Sequence, residues 1–466
     1  MQDSGTTPNY FQKRSPTKSN IKKVDTTGIS EKMVSFFSDK IEETARQTKF
    51  VRRKSEITGL SFLKAVVLGF LEKADASLNE MAQSFLALGV AVTPQAVDER
   101  INAFSVAFLR AIFSQALAIF KNKCPLPLSV LQQFSAINIV DSSTKSLPEN
   151  MADEYPGCGR KGAQAALKIQ LVFDFLHGNL KQVELETGKD SDQGYREYLK
   201  VVEGGSLTIV DLGYFCLDAF WAIADKSAYF LSRYFYPTAL LDKFGKRIDL
   251  EALLRKQTGH RDDLPVKLGC RSQHQLPCRL IILRNPDEVT EKRRRTAKAH
   301  VKKRGATLSQ TYLFMLGWTL FVTNAPATLI SLKQVYDFYR IRWQIELIFK
   351  LWKSYCGLNH ILAWRKERVL TELYAKMIAI VIVHFLPAPL RIPDEIWSER
   401  EVSNVRFKQV LAGFARSFKQ CLSDAIALAK TLDDFLLRVA RFSLKQKRRQ
   451  QPNAYSQLAQ LALPLA

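Results

Sequence analysis

Between Ser30 and about Lys123, apolar residues recur at helical spacing. Leu60, Phe62, Leu63, Val66, Val67, Phe70 and Leu71 hold one face, and Ala103 to Phe120 repeats the pattern. A more specific signal lies between them. Ser77 stands three residues before Glu80, the spacing of a capping box; a helix then runs to Leu88, Gly89 turns the chain, and Thr93-Pro94 opens a second helix taken to Phe104. This is the grammar of a helix-turn-helix, although two packed helices with no DNA contact satisfy it equally. If it reads DNA, Gln95, Asp98, Glu99 and Arg100 are the residues near the groove.

After Cys124-Pro125 the period changes from helix to strand. Ile137 to Val140 is a short apolar run ending at Asp141, Ala166 to Phe175 alternates, and Gln182 to Leu185 follows a turn at His177-Gly178-Asn179, which predicts three strands in hairpin succession. A helix over Gly194 to Val202, a strand Leu207 to Val210 ending at Asp211, a helix Cys216 to Asp225 and a strand Tyr229 to Tyr236 complete a βββαβαβ order. The class is therefore mixed α/β. Asp141 and Asp211 both fall just past a buried strand, where such sheets place their reactive groups. Residues 237–323, with their Gly, Pro and short alternating runs, read as a β-rich insertion. Helical periodicity returns over Leu332 to Trp352, Thr371 to Phe385 and Phe407 to Leu444.

These patterns divide the chain into a flexible basic arm (1–28), a helical DNA-binding domain (29–125), an α/β core (130–236 and 324–395) around the insertion, and a C-terminal helical region (396–466) that is a candidate dimerisation surface. Charge adds a partner. Lysine and arginine number 68 against 45 acids, a net +23, which calls for a polyanion, with nucleic acid first and an anionic membrane second. The membrane option is weakened because the most apolar run, Met377 to Leu386, is about half the ~20 residues that cross a bilayer. No apolar segment follows the N-terminal basic residues, and the seven cysteines contain no C-x-x-C pair, so a reducing, cytoplasmic setting is expected.

Within the insertion, Lys292, Arg293, Arg294, Arg295, Lys298, Lys302, Lys303 and Arg304 form a run dense enough to need neutralising by phosphates, or else to be a solvated face. Cys270, His274 and Cys278 lack a fourth zinc ligand nearby and are read as incidental. Six scattered histidines and the lack of a G-x-x-x-x-G-K-[ST] loop disfavour serine or cysteine hydrolysis and nucleotide-driven chemistry.

The richest segment is Tyr339 to Lys353. Tyr339, Arg342, Glu346 and Lys353 fall along one helical stripe, while Ile341, Ile345, Ile348, Phe349 and Trp352 make the other faces apolar, so the stripe is expected to line a site. With Asp141 and Asp211 it supplies three carboxylates suited to two divalent cations, Mg²⁺ or Mn²⁺ rather than zinc, for an in-line phosphoryl displacement.

Asp141 in VDSST, Asp211 in DLGYF and the gapless Tyr339-x2-Arg342-x3-Glu346-x6-Lys353 resemble the DDE triad and Y-x2-R-x3-E-x6-K signature of the insertion-sequence-4 family of bacterial transposases. Similar segments span roughly residues 75–385. The resemblance implies an RNase H-like catalytic core interrupted by an insertion, cut-and-paste transposition with Mg²⁺, and a synaptic homodimer on terminal inverted repeats. It makes Asp141, Asp211 and Glu346 metal ligands and brings Tyr339, Arg342 and Lys353 to phosphates near the element end, with Trp343 and Trp318 as weaker DNA contacts. Trp318 is equally a core residue or a platform for a flipped base. Two other readings stay open: a DNA-binding inhibitor of transposition without catalysis, and a metal-dependent nuclease without strand transfer.

Overall fold

A computed structural model describes residues 25–126, 128–159, 162–270, 275–302, 307–361, 363–387 and 402–445. They fall into two compact units, one drawn from Met1–Phe120 and Lys353–Arg448, the other from Lys121–Trp352.

The helical unit begins where Asp25 caps a helix over Thr26–Phe36, its carboxylate accepting from the Gly28 amide at 2.8 Å. The predicted basic arm therefore stops short of residue 28, and its first 24 residues lie outside those described. The capping box forms as expected: Ser77 and Glu80 satisfy each other's amides ahead of Leu78–Leu86. Gly89 takes φ +77° in the turn, and Thr93 caps Pro94–Arg100. The second helix is shorter than predicted, because Asn102 caps a new helix over Ala103–Ile119.

Two residues expected near a groove are spent within the unit. Asp98 pairs with Arg365 at 3.2 Å, and Arg100 donates to Ser55 and to the Phe50 carbonyl. Gln95 and Glu99 remain exposed. The apolar run around Met377 lies in the almost wholly buried helix Lys366–Phe385. The helical stretch expected over Phe407 to Leu444 is a hairpin of two helices, Asn404–Cys421 and Ala425–Phe442, with Asp424 capping the second limb. Residues from Lys353 onward, assigned to the α/β core by pattern, group with these helices. No single described helix is long and apolar enough to cross a membrane; one bent pair, Pro94–Arg100 with Ala103–Ile119, passes on length and composition alone.

The α/β unit is built on one nine-stranded sheet: β1 Ile137–Leu147, β2 Ala165–Asp174, β3 Asn179–Thr187, β4 Leu207–Val210, β5 Tyr229–Arg233, β6 Leu240–Leu241, β7 Arg261–Leu268, β8 Leu276–Arg284 and β9 Trp318–Thr323, in the order β3-β2-β1-β4-β5-β9-β8-β7-β6. The first five strands, an antiparallel β1–β2–β3 meander with β4 and β5 added in parallel, have the expected RNase H-like arrangement. The helix predicted at Gly194 to Val202 is absent; two 3₁₀ turns, Asp192–Gly194 and Glu197–Val201, stand there. Tyr195, just after the first turn, and Tyr198, in the second, are both buried.

The insertion is not a separate β-rich body. Its strand β9 pairs with both β5 and β8, so it extends the same sheet, and it carries helices Leu250–Lys256, Asp287–Lys302 and Gln310–Met315. The basic run is one of these helices, apart from Lys303 and Arg304, which lie outside the described residues.

Candidate active site

The parallel ladder between β1 and β4 ends at Val140 and Val210, so the next residue on each strand, Asp141 and Asp211, leaves it at the same level. Asp211 sits just past β4, as expected, at the start of a 3₁₀ turn over Leu212–Tyr214. Asp141 does not end its strand. β1 runs on to Leu147 because β2 still pairs with it, Asp141 opposite Leu171, after β4 has stopped.

The third acid arrives on the helix Trp343–Lys350, anchored by buried Ile345, Ile348 and Phe349. Arg342, at the start of this helix, donates one guanidinium nitrogen to Asp141 Oδ2 at 3.1 Å and another to Glu346 Oε1 at 2.7 Å. Tyr339, on the preceding helix Val335–Arg340, donates its hydroxyl to Asp211 Oδ1 at 3.2 Å. The structure thus brings Tyr339, Arg342 and Glu346 to the two strand aspartates from far along the chain.

The electrostatics follow from that convergence. Burial, reinforced by Asp211 and Glu346, pushes the Asp141 carboxyl up to about 6, against the opposing pull of the Ser142 amide and Arg342. Burial disfavours the Arg342 charge, but Asp211, Glu346, Tyr339 and Asp141 together outweigh it and raise its pKa. Burial first, and then Asp211, push the Tyr339 hydroxyl well above its ordinary value, so it stays a neutral donor. Three carboxylates face one guanidinium, which leaves a surplus of negative charge.

An all-carboxylate donor set suits a hard divalent ion. In this conformation, Arg342 stands between Asp141 and Glu346, and among the described residues no three acidic, histidine or cysteine groups are placed to grip one ion together. An ion held by these acids together would require Arg342 to release at least one of its carboxylates.

Other expected site residues are placed differently. Lys353 does not continue the α-helical stripe: it lies in a π-turn, Leu351–Tyr355, whose wider winding breaks the i+11 phase. Burial lowers its pKa. Trp343 is 56% exposed at the start of the Glu346 helix. Trp318 is only 8% exposed and packs in the core with Leu320, Val322 and Ile282, one of the two places the sequence left open for it. Arg293 is half-buried and donates to the Trp318 carbonyl at 3.2 Å and to Thr319 Oγ1 at 3.1 Å, while Arg294 donates to the Leu313 carbonyl at 3.1 Å and pairs with Glu291. Of the three arginines assigned to phosphate, only Arg295 is exposed, beside Lys292 and Lys298. The pairing of Arg342 with Asp141, 201 residues away, had no local signal; its pairing with Glu346 did, in the i, i+4 spacing.

Residues 132–382, more than half of the chain and including Asp141, Asp211 and the segment Tyr339 to Lys353, match the family described as the transposase DDE domain. The chain belongs to this family. It is 29% identical, over 73% of its length and 76% of the relative's, to the transposase for insertion sequence element IS231E of Bacillus thuringiensis subsp. finitimus. It is 26% identical to the transposase for IS1151 of Clostridium perfringens over 92% of this chain and 95% of that one. The transposase is thus an enzyme of insertion-sequence type, as the insertion-sequence-4 signature implied. Among solved structures it is similar to the piggyBac transposase in a synaptic complex with hairpin DNA, with a TM-score of 0.46 and 12% identity over 95% of this chain and 90% of that one.

Proposed function

We propose that this transposase binds the terminal inverted repeats of its element, cleaves there with the help of two Mg²⁺ or Mn²⁺ ions, and joins the released end to target DNA by cut-and-paste, acting as a homodimer in the cytoplasm. The observation that carries the reading is the convergence of Asp141, Asp211 and Glu346 around one guanidinium, a charge surplus with no structural purpose in an ordinary core.

Asp141, Asp211 and Glu346 would hold the ions, whose chemistry is to activate water and to stabilise the attacking and leaving oxygens of a phosphodiester. Arg342, once released from its carboxylates, is the guanidinium best placed to meet a phosphate, bidentately. Tyr339 holds Asp211 through a hydroxyl that stays protonated. Trp343 is open to contact DNA at the start of the same helix. Sequence choice falls to the helical unit through Gln95 and Glu99, and general affinity to Lys292, Arg295 and Lys298. Lys353 is assigned to a phosphate near the element end.

The test is an end-containing duplex incubated with the full chain and Mg²⁺. Cut and joined products support the proposal. Cutting without joining would make this a nuclease, and specific binding with neither would make it an inhibitor of transposition.

A further inference from the structure

Behind the two strand aspartates, on the opposite face of the sheet, lies a buried polar network that the chemistry above does not use. Side chains alternate along β1, so Ser142 points away from the Asp141 side. Ser142 Oγ donates to Asp192 Oδ1 at 2.8 Å, and Lys168 Nζ donates to the same oxygen at 2.9 Å. Lys168 also reaches the Asp190 carbonyl. Gln170, the partner of Ser142 across the β1–β2 ladder, donates to Glu186 Oε2 at 2.9 Å and to Asp192 Oδ1 at 3.5 Å, and its own oxygen accepts the Tyr214 hydroxyl at 2.5 Å. Lys168, Gln170 and Tyr214 are all buried.

The network touches both aspartates through their own backbones. The Ser142 amide donates to Asp141 Oδ1 at 2.8 Å, and the Tyr214 amide donates to the Asp211 carbonyl at 3.0 Å, closing the 3₁₀ turn that carries that acid off β4. Asp192 and Gln170 therefore join the residue that follows one acid to the turn that follows the other. Burying a lysine, a glutamine and a tyrosine hydroxyl is costly where an apolar set would pack, unless their bonds hold something in place.

We propose that Asp192, Gln170 and Tyr214, with Ser142, are positioning residues that set the separation and orientation of Asp141 and Asp211. This rests on the reading of those two acids as metal ligands. Outer partners of metal ligands act in this way, by fixing the ligand's orientation before the ion arrives.

Tyr214→Phe removes one hydroxyl, and Asp192→Asn removes the charge that holds Lys168 while keeping the shape. Both are made in the full chain, and Mn²⁺ binding is followed by titration calorimetry beside a thermal melt and cleavage across a range of Mg²⁺ concentrations. Each variant should bind Mn²⁺ roughly tenfold more weakly or worse, with the Mg²⁺ needed for half-maximal cleavage raised to match and most of the rate recovered at saturation. An unchanged Mn²⁺ affinity overturns the proposal, and so does a lowered melt with unchanged affinity, which would show a structural role only. Should Tyr214→Phe fail to fold, Ser142→Ala carries the same readout. If the wild type binds no Mn²⁺, or Asp141→Asn binds it as the wild type does, the metal reading fails first and takes this proposal with it.

Discussion

Two arginine–aspartate pairs, each with its aspartate on the same sheet, lie at nearly the same depth and differ in what surrounds them. Arg279 and Asp263 have side chains 14% and 23% exposed, and Arg342 and Asp141 are 15% and 20% exposed. Arg279 grips its aspartate with two donors and gives the rest to the Ala325 and Ile330 carbonyls at 2.8 and 2.9 Å. One charge answers one charge, and the remaining donors are satisfied by backbone. Arg342 instead divides its nitrogens between Asp141 and Glu346, with Asp211 close enough to be felt by both Asp141 and Arg342. The balanced pair tethers the loop after β9 to the insertion. The unbalanced one keeps a surplus of negative charge, so the count of carboxylates around the arginine, and not burial, distinguishes the two sites, and under the proposed function a divalent ion would neutralise that surplus.

The largest effect should follow from removing one acid of the unbalanced set. Glu346→Gln keeps the shape and leaves the proposed DNA contacts elsewhere intact, so end binding should be nearly unchanged. Cleavage in Mg²⁺ should fall more than ~100-fold, since a lost ligand costs several kcal/mol of charge stabilisation. Near-normal cleavage would show that Glu346 merely pairs with Arg342.

At the balanced pair the expected loss is of stability. Arg279→Ala leaves a partly buried carboxylate and two carbonyls without their donor, and should cost about 1–3 kcal/mol in a denaturant melt. Cleavage should persist at temperatures where the variant stays folded. If cleavage vanished while the melt held, the division between the two pairs would be wrong.

Arg342→Ala tests the competition between guanidinium and cation. Without its counter-charge the apo protein should melt lower. Mn²⁺ should bind roughly tenfold more tightly, because one like charge a few ångströms from the ion has gone. Weaker Mn²⁺ binding would mean that Arg342 orients the ligands and does not compete with the ion.

What pattern reading missed at these sites has a common cause. Strand and helix periods, caps and the polar stripe are local, and the residues they singled out, Asp141, Asp211, Tyr339, Arg342 and Glu346, lie together in the fold. Whether a charged side chain meets solvent or another part of the fold is decided by long-range pairing that no local window contains. Arg293 looks like its neighbour Arg295 in sequence, yet the carbonyl that takes it belongs to Trp318 on β9. The same strand pairing buried Trp318, and the persistence of β2 beyond β4 put Asp141 inside a strand. The hairpin at His177-Gly178-Asn179 was legible because its determinants are adjacent: Gly178 at φ +75° and Asp174 receiving His177 at 2.6 Å.

The basic helix offers the smallest effect and the same contrast within one turn. Arg293 and Arg294 are tied to protein carbonyls, whereas Lys292, Arg295 and Lys298 are exposed on the same helix. Replacing an exposed one by Ala should lower the slope of log affinity against log salt by about 0.9 for each phosphate left without its cation. It should barely move the melt. Arg293→Ala should do the reverse. Its guanidinium is held below its ordinary pKa by burial and then by Arg233, and it donates to both Trp318 and Thr319, so its loss should loosen the helix from β9 and lower the melt with the salt slope almost unchanged. The measurement is a binding titration on end DNA at several salt concentrations beside a thermal melt. Equal slopes for Lys292→Ala, Arg295→Ala and the wild type would remove this helix from the DNA path, because exposed cations that meet phosphates cannot be deleted without releasing fewer counterions.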